Sequence, residues 1–189
     1  MPGPKVGYMG IPGSNSEDAA MRFVRSMNIQ DAELVPLVDS GHVVDALADG
    51  SCRYGVMAIS NIHAGEVGET AVSLSRVDGI VKLSELWLPI HHCVFVNDDQ
   101  PVVRLSSHIQ ALLQCRDSLK RLYPNAELCE SEDTALSAQM LSEGRLGPGT
   151  AVVCRRNAGE MFGLRLVHEN IEDQKDNMTL FGLFERRKE

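Results

Sequence analysis

The strongest constraint on this chain is an alternation, kept up along its length, of short apolar runs with segments of helical period, the runs closed by small polar motifs. Residues 5–9 read as a strand, and Gly10-Ile-Pro-Gly13 as its turn. Ser16 is placed to N-cap a helix whose inner face carries Ala19, Ala20, Phe23 and Val24. Residues 32–38 form a second strand. A helix follows from Ser40 with Val43, Val44 and Leu47 at helical spacing, and Asp49-Gly50 stops it. Residues 54–59 are a short buried strand, and 67–74 a further helix. The order β-α-β-α-β predicts an α/β fold with helix-covered sheets.

The pattern then repeats. Residues 80–86 and 88–96 are strand-like, the second long enough to cross between lobes, and 97–101 form a polar turn. A strand over 102–106 precedes a helix that begins at Ser107 and runs to about 123, where Pro124 breaks it. A strand over 126–129, a helix over 133–143, a strand over 151–154 and a short helix over 158–162 follow. Residues 164–167 lead back, 169–176 are polar, and 179–184 form the last strand. Two rounds of alternation predict two α/β lobes with an inter-lobe cleft. Lobe 1 spans about 4–86 plus 168–189, and lobe 2 about 87–167. Clefts of this kind are where small ligands bind.

Charge narrows the partners. With 26 acidic against 18 basic residues the net charge is −8, which excludes nucleic acid and anionic membranes as natural partners. Aromatic content of 5% is too low for a base-stacking platform. No run is long enough to span a bilayer and the N-terminus has no signal-peptide character, so a cytoplasmic protein is expected. Five cysteines without C-x-x-C spacing read as free thiols in a reducing compartment, and no metal site is predicted. Neither a G-x-G-x-x-G nor a P-loop is present. A small anionic substrate would then rely on local donors. Ser14 or Ser16 and Ser107, at helix starts, suit a carboxylate. His91 and His92 are adjacent on a strand and face opposite ways, one of them buried. His63, in the loop after the third strand, can titrate near neutrality and supply a proton.

The ordered motifs resemble those of the prephenate dehydratases. Tyr8-Met-Gly-Ile-Pro-Gly-Ser-Asn-Ser-Glu-Asp-Ala-Ala20 is similar to that family's opening, and Tyr54-Gly-Val-Met-Ala-Ile-Ser-Asn61 with Gly65 and Thr70 to its next segment. Leu88-Pro-Ile-His-His-Cys93, Ser107-His-Ile-Gln-Ala-Leu-Leu-Gln-Cys115, Asp133-Thr-Ala135, Glu169-Asn-Ile-Glu-Asp173 and Asn177-Met-Thr-Leu-Phe181 follow in family order. The resemblance implies a fold of periplasmic-binding-protein type II, a homodimer or larger homo-oligomer, and a reaction that removes carbon dioxide and the ring hydroxyl from prephenate without a cofactor. It carries the catalytic set onto Asn61, Ser107, Gln114 and Thr179, with Thr179 assisting departure of the hydroxyl. Thr70, Thr134 and Phe181 join Ser14, Ser16 and His63 as substrate-binding residues.

Several positions depart from the family pattern. Ser60 stands in place of a Glu, Leu180 in place of an Arg, Asn15 in place of an aromatic and Asp133 in place of a Ser. Losing a carboxylate and a guanidinium near one site would change its electrostatics. Thr179-Leu-Phe-Gly182 is similar to the closing segment of relatives that decarboxylate prephenate without aromatising it. Two further readings therefore stand beside the dehydratase: a specialised lyase or decarboxylase acting on prephenate or a related ring acid, and a small-acid binding protein without catalysis. The chain stops soon after Phe181, so no ACT domain, and no phenylalanine feedback through one, is expected within it.

Overall fold

The computed structural model describes residues 3–187, so the last two residues of the expected first lobe lie outside the described residues. The chain divides into two compact units. The first runs up to Pro89 and resumes at Met178; the second is Ile90–Asn177. Residues 168–177, expected with the first lobe, stay with the second. The backbone N–H of Ile171 donates to the His92 carbonyl at 2.9 Å, and that of Asp173 to the Gln114 carbonyl at 2.8 Å.

In the first unit the elements are β1 (Lys5–Tyr8), α1 (Asn15–Ser26), β2 (Glu33–Pro36), α2 (Ser40–Asp49), β3 (Tyr54–Asn61), β4 (Gly65–Glu66), α3 (Gly68–Ser75), β5 (Ile80–Pro89) and, after the second unit, β11 (Met178–Arg186). The sheet order is β2-β1-β3-β11-β5, with β4 paired to β3. β1 is parallel to both its neighbours, and β11 is antiparallel to both of its own. The chain passes from β1 through α1 to β2, then back over β1 through α2 to β3. Right-handed crossovers in opposite directions put α1 and α2 on opposite faces. Val43, Val44 and Leu47 of α2 pack against Met57 and Phe184 on one face. Ala19, Ala20 and Phe23 form the buried side of α1.

The start of α1 corrects the expected cap. Ser14, not Ser16, is the N-cap, and its hydroxyl accepts from the Glu17 N–H at 3.3 Å. Ser16 is the second residue of α1, and it is buried. Asp39 caps α2 and Gly50 ends it in the left-handed conformation, where a side chain would be strained. The two strands expected around residue 87 are one strand to Pro89 followed by a break. His91 and His92 lie in that irregular stretch rather than on a strand.

In the second unit the order of elements is β6 (Cys93–Val96), β7 (Arg104–His108), α4 (Ile109–Gln114), α5 (Arg116–Leu122), β8 (Glu127–Ser131), α6 (Thr134–Ser142), β9 (Thr150–Cys154), α7 (Arg156–Met161) and β10 (Arg165–His168). The sheet order is β10-β6-β9-β7-β8. Its core joins Val94, Val96, Leu105, Ala151 and Val153 from the sheet to Leu112 and Leu119 from the helices and Cys115 from between α4 and α5. Ser107 does not start a helix: it lies within β7, and the His108 ring caps α4 by accepting from the Gln110 N–H. The expected single helix to residue 123 is broken at Cys115. The break is stabilised from outside, because the Asp173 carboxylate accepts from the N–H groups of Asp117 and Ser118, both at 2.9 Å.

Candidate active site

Open α/β sheets bind ligands beyond the carboxyl ends of their strands, where neighbouring strands send their connections in opposite directions. Each unit has one such point. In the first it falls between β1, which connects to β2, and β3, which leads out toward β5. In the second it falls between the parallel neighbours β7 and β9, which lead to β8 and to β10 on opposite sides. The polar motifs of the sequence end at these points. The β1 turn and the start of α1 carry Ser14 and Ser16, and β3 ends at Asn61. β7 ends just past Ser107, and α7 begins just past Arg155.

At the end of β3, Asn61 is held through both ends of its side-chain amide. Its Oδ1 accepts from the N–H groups of His63 and Ala64, each at 3.0 Å. Its Nδ2 donates to the Met178 carbonyl at 2.9 Å and to Thr179 Oγ1 at 3.1 Å. Asn61 and Thr179 are direct cross-strand partners on β3 and β11. Because Oγ1 accepts from an amide, the Thr179 proton is left to donate elsewhere. The His63 ring is exposed, and the residue serves this pair through its backbone. Thr70, the third residue of α3, is 2% exposed, and its Oγ1 has no hydrogen-bond partner among the described residues. Phe181 is buried two residues beyond Thr179 and contributes apolar backing, not a polar contact.

In the second unit, Gln114 ends α4. Its Oε1 lies 2.8 Å from His92 Nε2 and 2.9 Å from Asn177 Nδ2. With the oxygen engaged, the amide keeps its two N–H donors. His92 is buried, its backbone N–H donates to Glu172 Oε2 at 3.0 Å, and the other Glu172 oxygen meets His91 Nδ1 at 3.0 Å. Burial alone would raise the Glu172 pKa; the donors from His92 and His91 outweigh it and hold the carboxyl below its ordinary range. Ser107 is fully buried, and its hydroxyl donates to the Val153 carbonyl at 2.5 Å, tying β7 to β9. Thr134 opens α6, but the first N–H groups there are taken by the Asp133 carboxylate, at 2.6 Å from Ala135 and 3.1 Å from Leu136. Burial pushes the Asp133 carboxyl up despite those bonds.

Glu172, Asn177 and the buried His92 are the residues that motif reading leaves without roles. Asn177 stands inside a quoted motif and Glu172 inside another. A charged residue in a polar stretch reads as solvated, however, and the partners of Glu172 lie some eighty positions away.

The two charge-changing departures prove to be neighbours. Leu180 on β11 lies directly opposite Ser60 on β3, with Trp87 of β5 on the other side of Leu180 and Glu66 of β4 on the other side of Ser60. Successive strand residues face opposite sides of a sheet, so this row points away from the Asn61–Thr179 row. The expected electrostatic loss at the site is therefore corrected to the loss of one cross-strand pair on the far face. Ser60→Glu alone is expected to destabilise the fold, because it sets a second carboxylate opposite Glu66. Leu180→Arg should recover that loss, with a coupling of about 0.2–1 kcal/mol in a denaturation double-mutant cycle. Additive single effects would refute the pairing.

Comparison with known proteins agrees with the motifs. The family model "Prephenate dehydratase" matches residues 6–189. The chain is 31% identical over 179 residues to a bifunctional chorismate mutase/prephenate dehydratase of Neisseria gonorrhoeae, covering 93% of this chain and 48% of that protein. It is 29% identical to arogenate dehydratase 5, chloroplastic, of Arabidopsis thaliana, covering 96% of this chain and 42% of that one. It is 28% identical to the prephenate dehydratase of Lactococcus lactis subsp. cremoris, covering 98% and 64%. The chain thus spans about half the length of the curated relatives it matches. Among solved structures, the prephenate dehydratase of Arthrobacter aurescens in complex with L-Phe superposes with a TM-score of 0.84 at 24% identity, covering 98% of this chain and 61% of that one. A periplasmic substrate-binding protein of an ABC transporter from Coxiella burnetii superposes with a TM-score of 0.52 at 12% identity, covering 97% and 84%, which is a likeness of fold alone. The fold is α/β of the periplasmic-binding-protein type II kind, and the chain belongs to the prephenate dehydratase family.

Proposed function

We propose that this chain is a lyase that converts prephenate to phenylpyruvate. The observation that carries this reading is the Asn61–Thr179 pair, in which an amide donates to the threonine oxygen and leaves its proton for a departing group. The carbon–carboxylate bond of the ring breaks, and its electron pair enters the ring. The ring carbon–oxygen bond breaks on the other side, and the hydroxyl leaves as water with the Thr179 proton, which solvent then restores. The products are carbon dioxide, water and an aromatic keto acid, so aromatisation supplies the driving force. Proton donation to a leaving hydroxide contributes about 10²–10⁴-fold in reactions of this kind. An uncharged set of hydroxyl and amide groups also avoids over-stabilising the carboxylate that must be lost.

The family likeness assigns Thr70 and Gln114 to the carboxylates and keto group of the acid, with Ser14 and Ser16 at the α1 start; Ser107, whose hydroxyl proton goes to the Val153 carbonyl, is left out of that set. The far-face position of Ser60 and Leu180 takes away one of the two observations behind a non-aromatising decarboxylase, the other being the Thr179-Leu-Phe-Gly182 closing segment. Action in the cytoplasm as a homo-oligomer belongs to the same proposal. The test is product analysis of prephenate, and separately of arogenate, incubated with purified protein. Phenylpyruvate formed from prephenate well above the spontaneous rate supports the proposal. Selective turnover of arogenate would move the substrate to the amino acid analogue. Tight binding with no turnover would select the non-catalytic reading.

A further inference from the structure

The groups around Gln114 carry an inference that rests on the proposed function and goes beyond it. Gln114 Oε1 receives two donors at once, and they fix its amide in one sense. Asn177 Nδ2, at 2.9 Å, can only donate. His92 Nε2, at 2.8 Å from the same oxygen, must then carry the ring proton as well. That assignment leaves His92 Nδ1 as a bare acceptor, and this atom is buried without a hydrogen-bond partner among the described residues. A buried acceptor left unpaired is costly and calls for a reason. His92 itself is 3% exposed and is anchored through its backbone N–H to a carboxylate that is 1% exposed. The ring therefore has no freedom to turn and satisfy Nδ1 without abandoning Gln114.

We propose that His92, together with Asn177, is a positioning residue that fixes the Gln114 amide with its two N–H donors, and not its carbonyl oxygen, turned to an anionic substrate. Without these two donors the amide could rotate by half a turn and present an acceptor to a carboxylate or keto oxygen, reversing the sign of the contact. The titratable and charged groups near the ring are His91, Glu172 and Arg155. Burial is the main influence on the His92 pKa and lowers it, so the ring is neutral at physiological pH. The role needs a neutral donor and no proton transfer, which separates His92 from a general acid or base.

Glutamine is the decisive replacement, since its amide nitrogen reaches about as far as Nε2 and donates without titrating. In His92→Gln, kcat/KM for prephenate should stay within about threefold of the unmodified protein, and the pH profile should keep its shape. In His92→Leu, and in the nearly isosteric Asn177→Asp, which puts an acceptor where the donor stood, kcat/KM should fall by up to about 10²-fold. The fall should come mainly from KM and be matched by the dissociation constant of prephenate measured calorimetrically. Nitrogen-15 NMR of the ring should show the proton on Nε2. Equal losses in His92→Gln and His92→Leu, or a ring protonated on Nδ1 alone, would overturn the proposal. Prephenate bound but not turned over by the unmodified protein would overturn the dehydratase reading alone, because the dissociation constants still test the positioning role. No binding of prephenate would overturn both.

Discussion

Thr179→Val is expected to lower kcat on prephenate by about 10²–10⁴-fold while leaving the protein folded. Valine keeps the β-branched shape that suits a strand and removes only the hydroxyl. Asn61 loses one acceptor but keeps the Met178 carbonyl at 2.9 Å, so its orientation survives. Thr179→Ser should retain most of the activity, since the oxygen and its proton remain. Asn61→Asp should resemble Thr179→Val for a different reason. A carboxylate in place of the amide would accept the Thr179 proton and withdraw it from the leaving hydroxyl. Steady-state kinetics with ultraviolet detection of phenylpyruvate checks all three. A Thr179→Val protein that kept its kcat and changed only KM would show that the hydroxyl binds substrate without assisting the chemistry.

The second large effect is on stability. Glu172 is 1% exposed, and its carboxylate accepts the buried backbone N–H of His92 at 3.0 Å. Glu172→Leu leaves that donor unpaired inside the protein and cuts the tie between the returning segment and the start of β6. The expected cost is about 1–3 kcal/mol. The contact with His91 adds little to this, because that ring is half exposed. The effect should depend on pH with a definite sign. The folded pKa of Glu172 lies below its unfolded value, so its contribution is complete at neutral pH and is lost as the pH falls through the folded pKa. Denaturant titrations of the unmodified protein and Glu172→Leu should differ widely at neutral pH and converge in strong acid. A difference that persisted unchanged in acid would assign the effect to packing and not to the carboxylate.

The elements could be read from the chain because their signals are local. Apolar period, turn residues and stops such as Asp49-Gly50 each act within a few residues. Ser14 as the cap of α1 was also within reach, since Ser14-Asn-Ser-Glu17 has the capping-box spacing. His108 as a cap was not, because histidine is not among the preferred capping residues. The break at Cys115 escapes local reasoning altogether. It depends on a carboxylate from Asp173, more than fifty positions along the chain. The same holds for the site. Asn61 and Thr179 stand in motifs, but that one donates to the other follows only from strand register. Ser107 looked like a helix start with a hydroxyl to offer; its proton is committed to Val153 across two parallel strands. Ser60 and Leu180 looked like two separate losses near the chemistry, and register makes them one pair on the opposite face.

The most direct test of the central claim is the stoichiometry of a single reaction: carbon dioxide released against phenylpyruvate formed, with prephenate and the purified protein near neutral pH. One carbon dioxide for each phenylpyruvate, at a rate far above the spontaneous one and lost in Thr179→Val, is the predicted result. Carbon dioxide released without an aromatic product would contradict the account, since the Asn61–Thr179 pair would then not be expelling the ring hydroxyl.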